Sequence, residues 1–414
     1  MKKFTRLAYI SPKFPSLSLV FEQNEILGIY KSNIELEILS CRQYSADEQH
    51  SFVTPLLSFS NYPNKYLILR GFWRVFANKP LTFVNILALA VLGCLNLLAA
   101  PKIIGSFLFS LGWYELLSSD ANRPNWIHAD FGMNTATTAL MLSLLLDCPY
   151  SFKVHAFDIA STSLKHYDLL GKIKYSKASL IFSEHKYGAG IVLQKYPFID
   201  DKLRVNYSSI RPQDFNKLPS SPQSKRFVAL GRLVYKKGFH ILIEAAASLR
   251  EKGLNIKIDI YGSGSEEESL SDLITSRKLE STVKLCGRYN NEALPEMLYD
   301  CLALVVPSVI APDGNIDGVP TVIYEAMSLG RAVISSYLSG IPEVIEDGKN
   351  GLLFTPGDAD QLAKKMEYLL HNPTVKEYME ERARLLVEEK HDYLLNSKKM
   401  IKCIEEAFPN GQNE

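Results

Sequence analysis

Short apolar runs alternate with amphipathic stretches along most of this chain. Leu7-Ala-Tyr-Ile-Ser11 predicts a strand, the pattern over 19–31 a helix, and Glu35-Leu-Glu-Ile-Leu39 the next strand. A β-α-β opening of this kind starts a parallel sheet. The rhythm breaks at about 42 and resumes at Trp126-Ile-His-Ala129. From there strands at 151–155, 179–183 and 203–207 alternate with helices at 133–146, 164–176 and 185–195. Asn216-Lys-Leu-Pro-Ser-Ser-Pro-Gln-Ser224 reads as a linker, because its Ser and Pro density suits neither period. Beyond it the alternation starts afresh. Strands are expected at 226–231, 256–261, 282–286, 302–306 and 331–335, with helices at 238–252, 266–278, 292–299 and 320–329, and a helical region from 358 onward. The fold class is therefore α/β: two Rossmann-like, doubly wound domains facing a cleft, at 1–215 and 216–390. A last helix over 391–414 is expected to pack back on the first domain. Ligands in such folds bind at the carboxyl ends of the strands.

The insert at 42–125 breaks the pattern. Residues 80–101 are uncharged at all 22 positions and bounded by Pro80 and Pro101, long enough to span a bilayer by count. A span would place the strands at 7–11 and 35–39 across the membrane from their sheet partners. The expectation is instead an amphipathic or shallowly inserted helix, or a buried helical pair.

Composition changes this picture little. At 47% hydrophobic and 22% charged, the chain has the make-up of an ordinary globular protein. The six cysteines are scattered with no Cys-x-x-Cys pair, so disulfide and metal frameworks are not expected and a reducing, cytoplasmic setting is. No signal peptide is read: Leu7–Ser11 is too short for an apolar h-region and runs into Pro12. The net charge of +1 hides an asymmetry, since residues 1–214 carry 22 Lys and Arg against 16 Asp and Glu, and the remainder 24 against 29. Lys65, Arg70, Arg74, Lys79 and Lys102 lie in 49–114, which contains no acid and is the most apolar stretch of the chain. Basic and apolar without acids points to an anionic membrane surface, through about 62–117, and away from nucleic acid.

Three segments carry candidate chemistry. Asp317-Gly-Val-Pro-Thr-Val-Ile-Tyr-Glu325 sets two acids around a Gly-x-Pro turn that opens a helix. The N–H groups of 318–321 would form an anion site between the carboxylates, which suits a ligand with phosphate in its middle and hydroxyls at both ends. Gly231-Arg232-Leu-Val-Tyr-Lys-Lys237-Gly238 follows a strand. Its glycine admits a ligand close to the backbone, Arg232 offers a planar fork to phosphate, and Lys237 stands at a helix entry. His155 ends a strand, where a polar side chain points to the ligand edge. Gly262-Ser-Gly264 lacks the third glycine of a dinucleotide fingerprint and precedes Glu266, Glu267 and Glu268, so it is set aside. Asp358-Ala-Asp360 is read as a helix cap and not a metal site.

In combination and order these residues resemble the retaining glycosyltransferases of family 4, of GT-B fold. The likeness rests on Gly231-Arg232-Leu…Lys237-Gly238, Pro307-Ser308, Asp317-Gly-Val-Pro…Glu325-Ala, and Ser339-Gly-Ile-Pro-Glu343 through Gly351-Leu. Phe14-Pro15-Ser-Leu-Ser18, His128-Ala-Asp-Phe and His155-Ala-Phe-Asp158 look like the branch that builds exopolysaccharides such as colanic acid. The resemblance implies that Arg232 and Lys237 hold the donor diphosphate and that Glu325 binds the ribose hydroxyls. Gly231, Gly318, Val319, Pro320 and Thr321 line the donor, and Arg288 lies beside the base. Asp317, where the family usually has Glu, touches the donor sugar. His155 contacts the sugar and helps stabilise the reacting centre. It further implies a metal-independent hexosyl transfer, with no cofactor beyond the nucleotide-sugar substrate, to a polysaccharide or lipid-linked acceptor; the basic apolar insert would hold the chain at the inner face of the cytoplasmic membrane. The alternative is a non-catalytic sugar-nucleotide-binding scaffold at the membrane.

Overall fold

The computed structural model describes residues 4–16, 18–42, 49–156, 158, 168–219 and 223–408. The chain divides into two compact units, Met1–Ser209 with Tyr393–Glu414, and Ile210–Asp392. The division falls a few residues from the 215 and 391 expected above. Ile210 donates its N–H to the His391 carbonyl at 2.9 Å and bridges to Asp392, so both chain crossings are tied at one point of the second unit.

The first unit opens with β1 (Arg6–Ser11), α1 (Val20–Tyr30) and β2 (Glu35–Ser40), then a 3-10 turn over Ser51–Phe59 and a short β3 (Ser60–Asn61). The insert forms three helices: α2 (Lys65–Asn78), α3 (Pro80–Cys94) and α4 (Ala100–Leu117). After it come β4 (Trp126–Asp130), α5 (Asn134–Leu146), β5 (Tyr150–Val154), α6 (Gly171–Lys177), β6 (Leu180–Ser183), α7 (Lys186–Lys195) and β7 (Leu203–Val205). Residues 164–167 of the helix expected at 164–176 lie outside the described residues. The strands pair in parallel in the order β3-β2-β1-β4-β5-β6-β7. Tyr9 of β1 lies beside His128 of β4, so the insert leaves the sheet continuous.

The uncharged run 80–101 is two helices joined by a turn, and among the described residues no helix is long and apolar enough to cross a membrane. Pro80 stands in the first turn of α3 and Pro101 in that of α4, where a missing N–H costs nothing. Asn64 caps α2 by accepting from the Leu67 N–H at 2.8 Å. Gly71 lets α2 approach α4 closely, since a Cβ there would lie 2.0 Å from the Leu111 carbonyl oxygen. The inner faces, with Val75, Phe83, Ile86 and Leu111, join one core with Ile10, Ala129 and α5. The buried-pair expectation therefore describes half of each helix surface.

The second unit contains β8 (Arg226–Leu230), a 3-10 turn over Tyr235–Lys237, α8 (Phe239–Glu251), β9 (Lys257–Tyr261), α9 (Glu267–Ser276) and β10 (Val283–Gly287). It continues with α10 (Leu294–Met297), β11 (Ala303–Val306), α11 (Thr321–Ser328), β12 (Ala332–Ser336), β13 (Leu352–Phe354), α12 (Ala359–His371) and α13 (Pro373–Lys390). Its parallel sheet runs β10-β9-β8-β11-β12-β13, with an apolar core on each face. Asp358 caps α12, accepting from the Gln361 N–H at 2.8 Å. The last helix, α14 (Tyr393–Ala407), lies on α1, where a Cβ at Gly28 would meet Ser397 Oγ at 2.2 Å.

Candidate active site

The loops that leave the carboxyl ends of β8, β9, β10 and β11 are packed backbone against backbone. A Cβ at Gly262 would sit 1.8 Å from the Gly231 carbonyl oxygen, and one at Gly264 would sit 2.2 Å from that of Leu233. Ladder-like bonds hold this contact: Gly231 N–H to Tyr261 O at 3.0 Å, Leu233 N–H to Ser263 O at 2.9 Å, and Gly262 N–H to Gly287 O at 2.7 Å. Gly262-Ser-Gly264, set aside above as a failed fingerprint, is thus the brace beneath the Arg232 loop. Gly238 adopts φ +65°, and a side chain there would strike the Pro307 carbonyl oxygen at 1.8 Å. That contact seats the 235–237 turn against Pro307-Ser308.

On this base the cations are arranged unequally. The Arg232 guanidinium is exposed and has no hydrogen bond or ion pair among the described residues. Lys237 is half-buried, and its Nζ lies 2.7 Å from Asp317 Oδ2. Lys236 Nζ lies 2.9 Å from the other oxygen, Oδ1, and 3.2 Å from Asn315 Oδ1. Burial alone would raise the Asp317 carboxyl, but Lys237 and then Lys236 outweigh it and hold it below the ordinary carboxylate range. Asp317, expected to touch a donor sugar, therefore has both oxygens on lysines. Lys236 and Asn315 were not singled out from the sequence. The repeated Lys-Lys opposite a single acid was the available signal.

Pro320 precedes α11 as its N-cap, one residue before the first-turn position expected for it. The N–H groups of Gly318, Val319 and Thr321 have no hydrogen-bond acceptor among the described residues. Glu325, one turn into α11, is 7% exposed, and its carboxyl makes no hydrogen bond or ion pair among the described residues. Burial pushes its carboxyl up to about 7, against the opposing charge of Arg211. Tyr289 is close enough for its hydroxyl to be pushed up to about 12 by burial and then by Glu325. Arg288 is exposed and donates from Nε to Ser263 Oγ at 3.0 Å. Ser339, after β12, has φ +54° and a buried hydroxyl without a partner; it was quoted above only as part of the family likeness.

His155, in the first unit, departs from expectation. It follows β5 but is 5% exposed, and both ring nitrogens are taken: Nε2 lies 2.7 Å from Asp130 Oδ1 and Nδ1 lies 2.8 Å from Glu184 Oε1. The ring is flanked by Phe131 and Phe21, with centroids at 4.3 and 5.1 Å. Burial disfavours the charged ring, yet Asp130 and then Glu184 raise it well above its usual range. With a carboxylate on each side, neither ring nitrogen is free to meet a sugar hydroxyl. Glu22 completes the group, buried beside Ser11; burial and then Asp130 raise it, and Ser11 opposes. Asp158 accepts from the N–H groups of Gly132 and His155, at 2.9 and 3.0 Å, and so shapes the turn. Among the described residues no group of His, Cys, Asp and Glu is placed to hold a metal ion.

Two stability predictions follow from these environments. His155→Ala strands two buried carboxylates and should cost about 3–5 kcal/mol. His155 is raised in the fold, so its contribution is full below pH ~6.5 and is lost as pH rises through the folded value. The penalty seen in calorimetry should therefore shrink at alkaline pH; a pH-independent penalty would refute the ion-pair account. Glu325 is raised from an unfolded value of ~4.3, so its contribution is present at low pH and is lost as pH rises through about 7. Glu325→Gln should leave stability unchanged near pH 4 and raise it by roughly 3 kcal/mol at pH ~8.5. An unchanged or lowered melting temperature at the higher pH would show that Glu325 is compensated in the fold.

The family model of glycosyl transferases group 1 matches residues 210–386, the unit built around these loops. The chain is 33% identical over 217 residues to WcaL of Escherichia coli, named for colanic acid biosynthesis, covering 51% of this chain and 53% of that protein. It is 38% identical over 165 residues to the amylovoran biosynthesis glycosyltransferase AmsK of Erwinia amylovora, covering 39% of this chain and 40% of that one. The chain thus spans about half the length of the curated relatives it matches. Anabaena HepE, solved in complex with UDP, superposes with a TM-score of 0.68 at 16% identity, over 97% of this chain and all of HepE. Residues 210–386 thus match the family model of group 1 glycosyl transferases, and the chain has the GT-B fold.

Proposed function

We propose that this protein is a retaining, metal-independent hexosyltransferase. It would move a sugar from a UDP- or GDP-linked donor to a polysaccharide or lipid-linked acceptor in cell-surface polysaccharide synthesis, at the inner face of the cytoplasmic membrane. The observation that carries the proposal is a set of uncommitted groups on one sheet edge. Among the described residues the Arg232 guanidinium has no partner, the N–H groups of Gly318, Val319 and Thr321 have no acceptor, and Glu325 is a buried carboxyl with no donor. A nucleoside diphosphate supplies what each lacks. Its phosphates accept from Arg232, Lys237 and the N–H groups, and its ribose hydroxyls donate to Glu325. The polysaccharide names of the relatives and the UDP held by HepE support the same substrate class.

In the reaction proposed, the bond from the anomeric carbon to the diphosphate oxygen breaks while an acceptor oxygen bonds to that carbon on the same face. The departing phosphate oxygen takes the acceptor's proton, so no strong protein base is needed. The protein's part is to stabilise the departing charge with groups fixed before reaction, each typically worth ~3 kcal/mol in the barrier. Asp317 would act through its lysines, keeping Lys237 charged and aimed. Arg288 would lie beside the base. His155 would hold Asp130 and Glu184 in place and not bond the sugar through a ring nitrogen.

Nucleotide diphosphate release from a panel of UDP- and GDP-sugars tests this, with membrane lipid extract as acceptor. Wild type should release one nucleotide from its own donor, and Arg232→Ala and Glu325→Ala should each lower the rate by about 10²–10³. No release from any donor, with or without extract, would favour a binding scaffold. A second outcome concerns protons. Ribose hydroxyls donate to the carboxylate form, so donor affinity should rise with pH through about 7. Calorimetry near pH 6.5 in buffers of different ionisation enthalpy should show proton release on binding in wild type and none in Glu325→Gln; equal release in both would place the titrating group elsewhere.

A further inference from the structure

Helices α2 and α3 each carry two apolar faces, one more than the core of their unit uses. On α2 the inward face approaches α4 at Gly71 and Val75. Tyr66, Leu69, Trp73 and Phe76, at i, i+3, i+7 and i+10, form a second face that is 52–64% exposed. On α3, Phe83, Ile86, Ala90 and Gly93 are buried, while Leu81, Val84, Leu87 and Val91 stand outward, with Leu81 at 81% exposed. Phe76 packs against Phe83 at 5.8 Å, so the outer stripe of α2 meets α3. The turn to α4 presents Leu95, Leu97 and Leu98, with Leu97 at 83% exposed. An apolar groove of about 370 Å³ opens between α3 and α4, walled by Leu87, Val91, Leu95 and Ile104. Exposed leucines scattered singly need no explanation, but a concentration of this kind on two adjoining helices does.

The charges around it narrow the occupant. Residues 65–117 hold five Lys and Arg and one acid, Glu115. Glu115 is shared between Arg70 at 2.9 Å and Arg74 at 3.2 Å, and Lys79 pairs with Asp147 at 2.6 Å. Three of the five cations noted as acid-free in the sequence thus find acids just outside their segment. Lys65 and Lys102 have no ion pair among the described residues, and the Arg70–Arg74–Glu115 group keeps one positive charge. A second copy of this chain would bring the same positive patch against itself, because a two-fold interface joins like to like. Anionic lipid has the opposite charge, hydrocarbon for the leucines and an interface that suits Trp73 and Tyr66. At 15 residues α3 is about 22 Å long, short of the ~30 Å hydrocarbon layer, so the helices lie in the interface and do not cross it.

We infer that the outward faces of α2 and α3, with the Leu95–Leu98 turn, dock this protein on a bilayer containing anionic phospholipid by shallow insertion. The surface is argued from its own side chains; its use for reaching a membrane-borne acceptor rests on the transferase proposed above.

Co-sedimentation of the full chain with vesicles of phosphatidylcholine, with and without phosphatidylglycerol, tests the inference. Wild type should bind the anionic vesicles preferentially, and less so at high salt. Lys65→Ala should weaken binding about fivefold. The exposed pair Leu69→Glu with Leu97→Glu should abolish it while circular dichroism stays unchanged. Trp73 is the exposed one of three tryptophans, Trp113 and Trp126 being fully buried, so brominated lipid should quench its emission alone. Failure to bind anionic vesicles, or binding untouched by the leucine pair, would overturn the inference. So would dimerisation that the leucine pair abolishes and vesicles do not displace. Nucleotide release measured separately, with and without membrane lipid extract as acceptor, separates the two claims: release with no binding to the anionic vesicles sinks the docking surface alone, and vesicle binding with no release under either condition sinks the transferase alone.

Discussion

Close backbone contact at the carboxyl edge of the second sheet is the constraint on which the candidate site depends. Gly262 and Gly264 lie on the carbonyls of Gly231 and Leu233, and Gly238 lies on that of Pro307, all at distances no Cβ could tolerate. Three loops are thereby fixed to one another by main chain alone. A site built this way leaves its side chains free of structural duty, which is why Arg232 can stand exposed without a partner among the described residues. The same packing sets Lys236 and Lys237 opposite Asp317, so that a single carboxylate orients two cations before any ligand arrives. Groups fixed in advance do not have to reorganise as charge develops, and this is the main source of electrostatic catalysis.

The two units treat buried charge in opposite ways. In the first, His155 is enclosed between Asp130 and Glu184, and Lys153 is paired with Glu25, which also accepts from Tyr9 at 2.9 Å. These groups come from α1, β1, β4, β5 and the end of β6, so the network locks the strand ends of that sheet together. Buried pairs of this sort contribute little net stability but cost much when one member is lost. In the second unit the charged groups near α11 are left partly unmatched. Arg331, by contrast, is wholly buried and spends its donors on the Leu298, Tyr299 and Pro219 carbonyls, away from the candidate site. The unmatched groups cluster where the loops are braced.

What the sequence made legible was local. Strands of five or six residues and helices of ten or more follow from the hydrophobic period, and Asp358 capped its helix as read. β3 and β13, two and three residues long, were not expected, being too short to set a period of their own. The double apolar faces of α2 and α3 blurred the helical period there, because a helix apolar on two sides has a weak amphipathic signal. Relations across the chain were hidden altogether. Nothing near His155 in sequence shows that Asp130 and Glu184, each more than 20 residues away, close on its two nitrogens. Gly262-Ser-Gly264 was weighed against a ligand motif when its partner is the backbone of Gly231. Lys236 and Lys237 look alike in sequence, and only the fold shows that they share Asp317.

Glu325 and Glu22 are both buried carboxyls raised by burial, yet they do not carry the same message. Glu22 lies beside Asp130 in a group rich in acids; burial and then Asp130 raise its carboxyl, while a Ser11 hydrogen bond and His155 oppose. Glu325 has no acid among the causes of its shift; burial raises it and Arg211 opposes. Its proton therefore balances near neutral pH, and a small electrostatic change decides its state. A chain selected for stability alone would fill that position with an apolar side chain, since an ionised carboxylate in an apolar setting is among the dearest groups to bury. Its presence beside unclaimed N–H groups is most simply explained by a ligand that donates hydrogen bonds to one and accepts from the other. The destabilisation that Glu325 brings to the empty protein is then the counterpart of the affinity it brings to the filled one.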